Sequence, residues 1–123
     1  MSVHNLKVST ENLLNIVVQM PEKEFARFFK NARQIKEREA NLIKKIESFN
    51  LSPEKEKIYR QLLRKFRAEK ISPEEHKVLI EITDELEGFT VEKLKCLVEI
   101  TKIRNSTIDE VMKELNIKPK SYE

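Results

Sequence analysis

One glycine and one cysteine occur in 123 residues, and each scarcity excludes a class of protein. A β-sandwich or barrel turns about every 8–12 residues and draws on glycine at many of those turns; Gly88 alone does not supply them. A single glycine also rules out the glycine-rich loop that cradles phosphates. Cys96, the one cysteine, excludes an internal disulfide and any thiolate zinc cluster. With Leu94, Leu97 and Val98 around it, it reads as a small core residue. The two histidines, His4 and His76, have no second ligand at helical spacing, and His76 beside Glu74 and Glu75 reads as a solvated helix start. The longest apolar run, residues 16–18, cannot cross a bilayer, and MSVHNLKV lacks the basic start and apolar core of a signal peptide. No enzymatic activity, cofactor or metal is expected, and the expected compartment is the cytoplasm.

Charged residues make up 37% of the chain and hydrophobic ones 39%. That mixture suits long amphipathic helices, and the length suits one domain. Residues 22–70 hold 15 Lys or Arg against 8 Glu, a block of +7; residues 71–123 hold 8 against 12 Asp or Glu, a block of −4. The asymmetry fits an acidic partner or nucleic acid, and equally an attraction between the two blocks within one chain or across a dimer.

The chain is organised around residues 72–105. Ser72, Pro73 and Glu75 form a capping box with proline at the first helical position. Val78, Leu79, Ile82, Leu86 and Phe89 share one helical face, while Leu94, Leu97, Val98 and Thr101 make a stripe turned from the first by roughly 100°. One helix here would present two faces; a kink or break near Gly88, with Thr90 capping a fresh helix, is the alternative. Unbroken, residues 73–104 would be about 48 Å long. A compact monomer of this size is near 35 Å across, so either Gly88 bends the helix or a second chain covers the excess, and a homodimer is the favoured reading.

Before that stretch, residues 1–9 read as an extended arm. Residues 10–20 read as a short helix with Leu13, Ile16, Val17 and Met20 on one face, ended by Pro21. Phe25, Phe28, Phe29, Ala32 and Ile35 then form a stripe that Leu42, Ile43, Ile46 and Phe49 continue, so one long helix is expected over residues 22–49. The polar run 36–39 would put Glu39 on the buried side and loosen the helix there. A helix from Pro53 to about residue 70 follows, apolar at Ile58, Tyr59, Leu62, Leu63 and Phe66. Thr107 and Glu110 cap a last short helix, which Asn116 ends in the left-handed conformation, and residues 117–123 read as an extended or frayed tail. The fold class is all-α: a bundle of about five to six helices, some of them long.

Two surfaces carry a functional reading. Lys57, Arg60, Arg64 and Arg67 lie opposite the apolar side of their helix, where they can pair with the carboxylates of a protein partner or with phosphates. Glu56 can pair with Arg60, and no aromatic is interleaved for base stacking. Residues 97–117 are similar to the opening of a helix-turn-helix, but too few residues follow to form the helix that reads a major groove.

The phrases SPEEHKVLIEITDELE (residues 72–87) and VEKLKCLVEITKIRNSTIDEVMKELNIKP (residues 91–119), with EANLIKKI (residues 39–46), resemble a family of small helical bacterial proteins encoded beside HNH-type nuclease-like genes. This chain departs from the pattern at Gly88, where a helix former is expected, and at Asn105, where glycine is usual. The resemblance implies an antitoxin-like or accessory role and a nuclease-like partner, and supplies no catalytic residues. Three functions are thus carried forward: a protein partner bound through helix faces, nucleic acid on the arginine strip, and a structural homodimer.

Overall fold

The main packing layers among the described residues share one helix. In a computed structural model that describes residues 8–118, 121 and 122, the chain forms α1 (Thr10–Val18), α2 (Glu22–Ser48), α3 (Pro53–Arg67), α4 (Pro73–Arg104) and α5 (Ile108–Glu114). No strand occurs among the described residues. The extended arm expected over residues 1–9 lies, up to residue 7, outside them. α2, α3 and α5 all pack on α4.

The start and end of α4 follow from local chemistry. Ser72 Oγ accepts the Glu75 N–H at 3.1 Å and Glu75 Oε1 accepts the Ser72 N–H at 3.0 Å, the reciprocal bonds of a capping box. At the other end Asn105 adopts φ 50°, ψ 53°, and the Ser106 N–H turns back to the Thr101 carbonyl. A left-handed residue is what glycine usually supplies here, and asparagine is the side chain that best tolerates it.

Between these caps the helix is continuous, so the break expected near Gly88 does not form. Gly88 is exposed, and its helical placement costs only about 1 kcal/mol relative to alanine. An interruption would forfeit several backbone hydrogen bonds and the burial on either side. The Thr90 hydroxyl donates to the Leu86 carbonyl at 3.0 Å, inside the helix, instead of capping a new one.

The rotated stripe expected over Leu94, Leu97, Val98 and Thr101 is not the one that packs: Leu94 is exposed, and the buried Cys96, Leu97 and Ile100 continue the face of Leu79 and Ile82, because five turns bring Leu97 and Ile100 back above them. This one face serves two layers. Leu79 and Ile82 are buried on the half that α3 covers, where the antiparallel pairs Lys55–Glu85 (3.0 Å) and Lys65–Glu75 flank the seam. On the other half, Cys96, Leu97 and Ile100 join Ile46 of α2 and Val111 of α5 in the main core. Ile100 and Val111 are wholly buried; each such side chain contributes about 1.5–3 kcal/mol by leaving water. α5 is therefore a packing helix. Its capping box joins Thr107 and Glu110, and Asn116, at φ 55°, follows its end.

α2 is a single helix, with no loosening at residues 36–39. Phe25, Phe28, Ala32, Ile35, Glu39, Leu42, Ile46 and Phe49 recur on it at steps of three and four, the spacing of a two-helix seam. α4 runs antiparallel beneath the second half of this seam: Glu39 meets Arg104, and the Phe49 ring lies 6.1 Å from that of Phe89. α4 then ends. From residue 22 to about residue 34, α2 runs on alone for roughly 20 Å, and every residue from 22 to 31 is exposed. The overhang predicted from the length of α4 belongs to α2 instead.

Candidate interaction surfaces

The basic strip forms on α3 as its spacing requires, because residues three and four apart share a helical face. Lys57, Arg64 and Arg67 are exposed, whereas Arg60 is partly covered by its own chain. Its guanidinium bonds Glu56 at 2.9 Å and the Ser121 carbonyl at 3.2 Å, and lies 5.2 Å from the centre of the Tyr122 ring. Tyr122 also meets Tyr59 edge-on at 5.1 Å. The tail thus returns to α3, and the central arginine of the strip is engaged before any ligand arrives. Sequence reasoning foresaw the Glu56 pair; the contact with Tyr122, 62 positions away, left no local signal. His76, on the neighbouring first turn of α4, stacks on Phe66 with ring centres 5.7 Å apart.

A second surface is larger and apolar. α1 has no buried residue: Leu13, Leu14, Ile16 and Val18 are all half or more exposed. Beyond the α1–α2 turn, Phe28, Phe29 and Ile35 are each about 50% exposed and Phe25 37%. Phe25 and Phe29 touch, with ring centres 6.0 Å apart, and the Arg33 guanidinium lies 5.5 Å from the centre of the Phe29 ring. These contacts arise within one helix and leave the outer faces of the rings in water. The sequence placed Phe25, Phe28, Phe29 and Ile35 on one stripe with Leu42 and Ile46. Periodicity marks a face and does not say where its cover stops, so the division of the stripe at Glu39 could not be read from it.

The total exposed area measures the consequence. The chain exposes 9936 Å², against about 6,900 Å² for a compact monomer of its 14.6 kDa mass. The excess, about 3,000 Å², is several times the ~800 Å² that one partner contributes to a standard interface, so it survives a generous discount for the chain ends.

Where the covered and uncovered parts of α2 meet, Ile35, Arg38, Glu99, Lys102 and Ile103 line an open groove of about 420 Å³. Arg38 bonds Glu99 along its wall and keeps 62% of its side chain exposed. Among the described residues no three His, Cys, Asp or Glu side chains come together as metal ligands. No helix among them is long and apolar enough to cross a membrane. No protein-family model, curated protein or solved structure matches the chain.

Proposed function

We propose that this is a non-enzymatic, cytoplasmic interaction protein that binds protein through helix faces. α1 and the first half of α2 form its working surface, on a platform built by α3, α4 and α5. One observation carries this reading: a stripe of leucine, isoleucine and phenylalanine continues about 20 Å past the last turn of α4, with every residue from 22 to 31 exposed. Contiguous apolar surface beyond a few hundred Å² marks interaction sites in proteins that otherwise keep such groups inside. The antitoxin-like or accessory role, and an HNH-type nuclease-like protein as partner, rest on the resemblance of residues 72–87 and 91–119, and name the partner class to test first.

The test is to recover the tagged full chain from its native cells after lysine cross-linking, beside two variants. Cross-links from Lys23, Lys30 or Lys36 to protein are expected; they should vanish with Phe28→Ser/Phe29→Ser and persist with Arg60→Glu/Arg64→Glu/Arg67→Glu. Persistence in the phenylalanine variant, or loss in the arginine variant, would move the working surface elsewhere.

A further inference from the structure

We infer that the uncovered half of α2 pairs with the same half of a second copy of this chain, antiparallel, around a two-fold axis near Lys30. This rests on the reading that the α1–α2 surface binds protein, and names its occupant.

The uncovered seam positions are Phe25, Phe28, Ala32 and Ile35, alternating as the two core positions of a heptad. In an antiparallel pair one core position of each helix layers against the other kind in its mate. Layering Phe25 against Ile35 of the second copy brings Phe28 against Ala32, and the same two layers repeat beyond the axis. The bulky Phe28 meets the small Ala32 both times, and all four uncovered positions are used.

That register fixes the flanking pairs, which provide an independent check. On one flank Glu22 comes opposite Lys36 of the second copy, with Phe29 opposite its own mate at the axis. On the other flank Glu24 comes opposite Arg38, with Asn31 opposite its own mate. Both charged pairs are of opposite sign, and two-fold symmetry makes four of them. Flanking charges of this kind set orientation and partner choice. A parallel pair would place Glu24 against Phe29 and Asn31 against Lys36, with no opposite charges. It would also bring both copies of α4 and α5 to the same end; antiparallel pairing carries them to opposite ends.

The groove beside Ile35 fits the same arrangement. Phe25 of the second copy arrives level with Ile35, where the gap between α2 and the end of α4 stands open. Arg38, bonded to Glu99 on one side and largely exposed, has further N–H groups for the arriving Glu24. Area points the same way. At about 200 Å² for a large side chain, the half-exposed Phe25, Phe28, Phe29 and Ile35 give about 400 Å² of apolar surface per copy. Flanking stems and the adjoining α1 bring the pair into the roughly 1,200–2,000 Å² range of stable interfaces.

The experiment is sedimentation of the full chain and two charge-swapped variants, Glu22→Lys/Glu24→Lys and Lys36→Glu/Arg38→Glu, alone and mixed. All four positions are on the surface, and circular dichroism should report unchanged helix. The unaltered chain should sediment near twice its mass at micromolar concentration. Each variant alone should self-associate at least about 16-fold more weakly, since four exposed pairs each contribute a factor of about two to five. An equimolar mixture should recover the dimer, because every flanking pair is again of opposite sign. Under oxidation Asn31→Cys should form a disulfide-linked dimer and Ala32→Cys should not; Cys96 is buried and stays out of the reaction. A monomeric chain at about 100 µM, a mixture that fails to re-associate, or cross-linking at position 32 in place of 31 would each overturn the inference. A monomer that still loses its cellular cross-links with Phe28→Ser/Phe29→Ser would leave the interaction surface standing and remove only the second copy.

Discussion

Arg104 holds Glu39 at the point where the covered half of α2 ends. Its Nε donates to Glu39 Oε2 at 3.1 Å and its Nη2 to Oε1 at 2.9 Å, a two-pronged pair joining the last turn of α4 to the middle of α2. Nη1 reaches Glu114 of α5. One guanidinium thus ties three helices together, at a helix C-terminus whose dipole also favours a cation. Glu39 occupies a core position of the seam with only 11% of its side chain exposed, and it is the buried charged residue among the described ones. It divides the part of the seam that folds onto its own chain from the part left exposed.

Glu39→Ala should therefore destabilise the fold by about 2–3 kcal/mol, since it removes two charge-assisted bonds and strands part of a shielded cation. Glu39→Leu combined with Arg104→Met should recover most of that loss, because a well-packed apolar pair can replace a shielded ionic one. Denaturant unfolding of the three variants measures both effects; a double variant no better than the single one would contradict the account.

The pH dependence follows from the same bonds. The hydrogen bonds of Arg104, helped by its charge and that of Lys36, hold the Glu39 carboxyl below the ordinary value of 4.5 although burial opposes them. Glu75 is lowered too, first by its bond to Lys65 and then by the Ser72 N–H. A carboxylate whose pKa is lower in the folded state contributes stability above its unfolded pKa and loses it as pH falls through the folded one. Stability should thus be flat from neutrality to about pH 5 and decline below about 4.5. Glu39→Gln should lower the plateau and make the acid decline shallower. Equal acid slopes in thermal unfolding of the two proteins would count against the pair.

Gly88→Ala should stabilise the chain by about 0.5–1 kcal/mol. The position is helical and exposed, it has no positive φ, and an added Cβ meets nothing within 4 Å. Alanine then reduces only the freedom of the unfolded chain. A lower midpoint in thermal unfolding would mean that Gly88 serves a contact made only with a partner.

The helix ends were legible in the sequence because caps are local: Ser72 with Glu75, and Thr107 with Glu110, each lie within one turn. The face of α4 was legible in its first half, at Leu79 and Ile82; in the second half the stripe through Leu94, Val98 and Thr101 competed with the one through Cys96, Leu97 and Ile100, and only the second is buried. What resisted reading was long-range. Glu39 looked like a flaw in the stripe until Arg104, 65 positions on, supplied its partner. Arg60 looked available until Tyr122 came back to it. A stripe that is half intramolecular and half exposed has the same period throughout, so Phe28 and Ile46 were indistinguishable by pattern alone.

Ile100→Ala and Phe28→Ser separate those two kinds of apolar residue. Ile100 is wholly enclosed by the main core, and its truncation should cost about 3–4 kcal/mol. Phe28 is half exposed, and its replacement should change the stability of an isolated chain by less than about 1 kcal/mol while lowering the tendency to associate. Unfolding at submicromolar concentration, repeated at about 100 µM, distinguishes them: the Ile100 loss should be equal at both, and the Phe28 loss should grow with concentration.

The arginine strip separates the protein-binding reading from the nucleic-acid one. Affinity for nucleic acid falls by about 0.9 log units per neutralised phosphate for each tenfold rise in salt. Arg60 is held by Glu56, the Ser121 carbonyl and Tyr122, so the strip does not offer all four of its cations to phosphates. A site of even three phosphate contacts would lose roughly 500-fold in affinity per tenfold rise in salt. An interface centred on Phe25, Phe28 and Ile35 has little such dependence, because flanking charges mainly alter association rate. No submicromolar binding of DNA or RNA is expected at about 0.15 M salt. Arg60→Glu/Arg64→Glu/Arg67→Glu should keep the helix content, since Leu62 faces the opposite side and is buried. Fluorescence anisotropy with labelled single- and double-stranded oligonucleotides measures this directly. Tight binding at that salt, abolished by the triple change and untouched by Phe28→Ser/Phe29→Ser, would transfer the function from the apolar arm to α3.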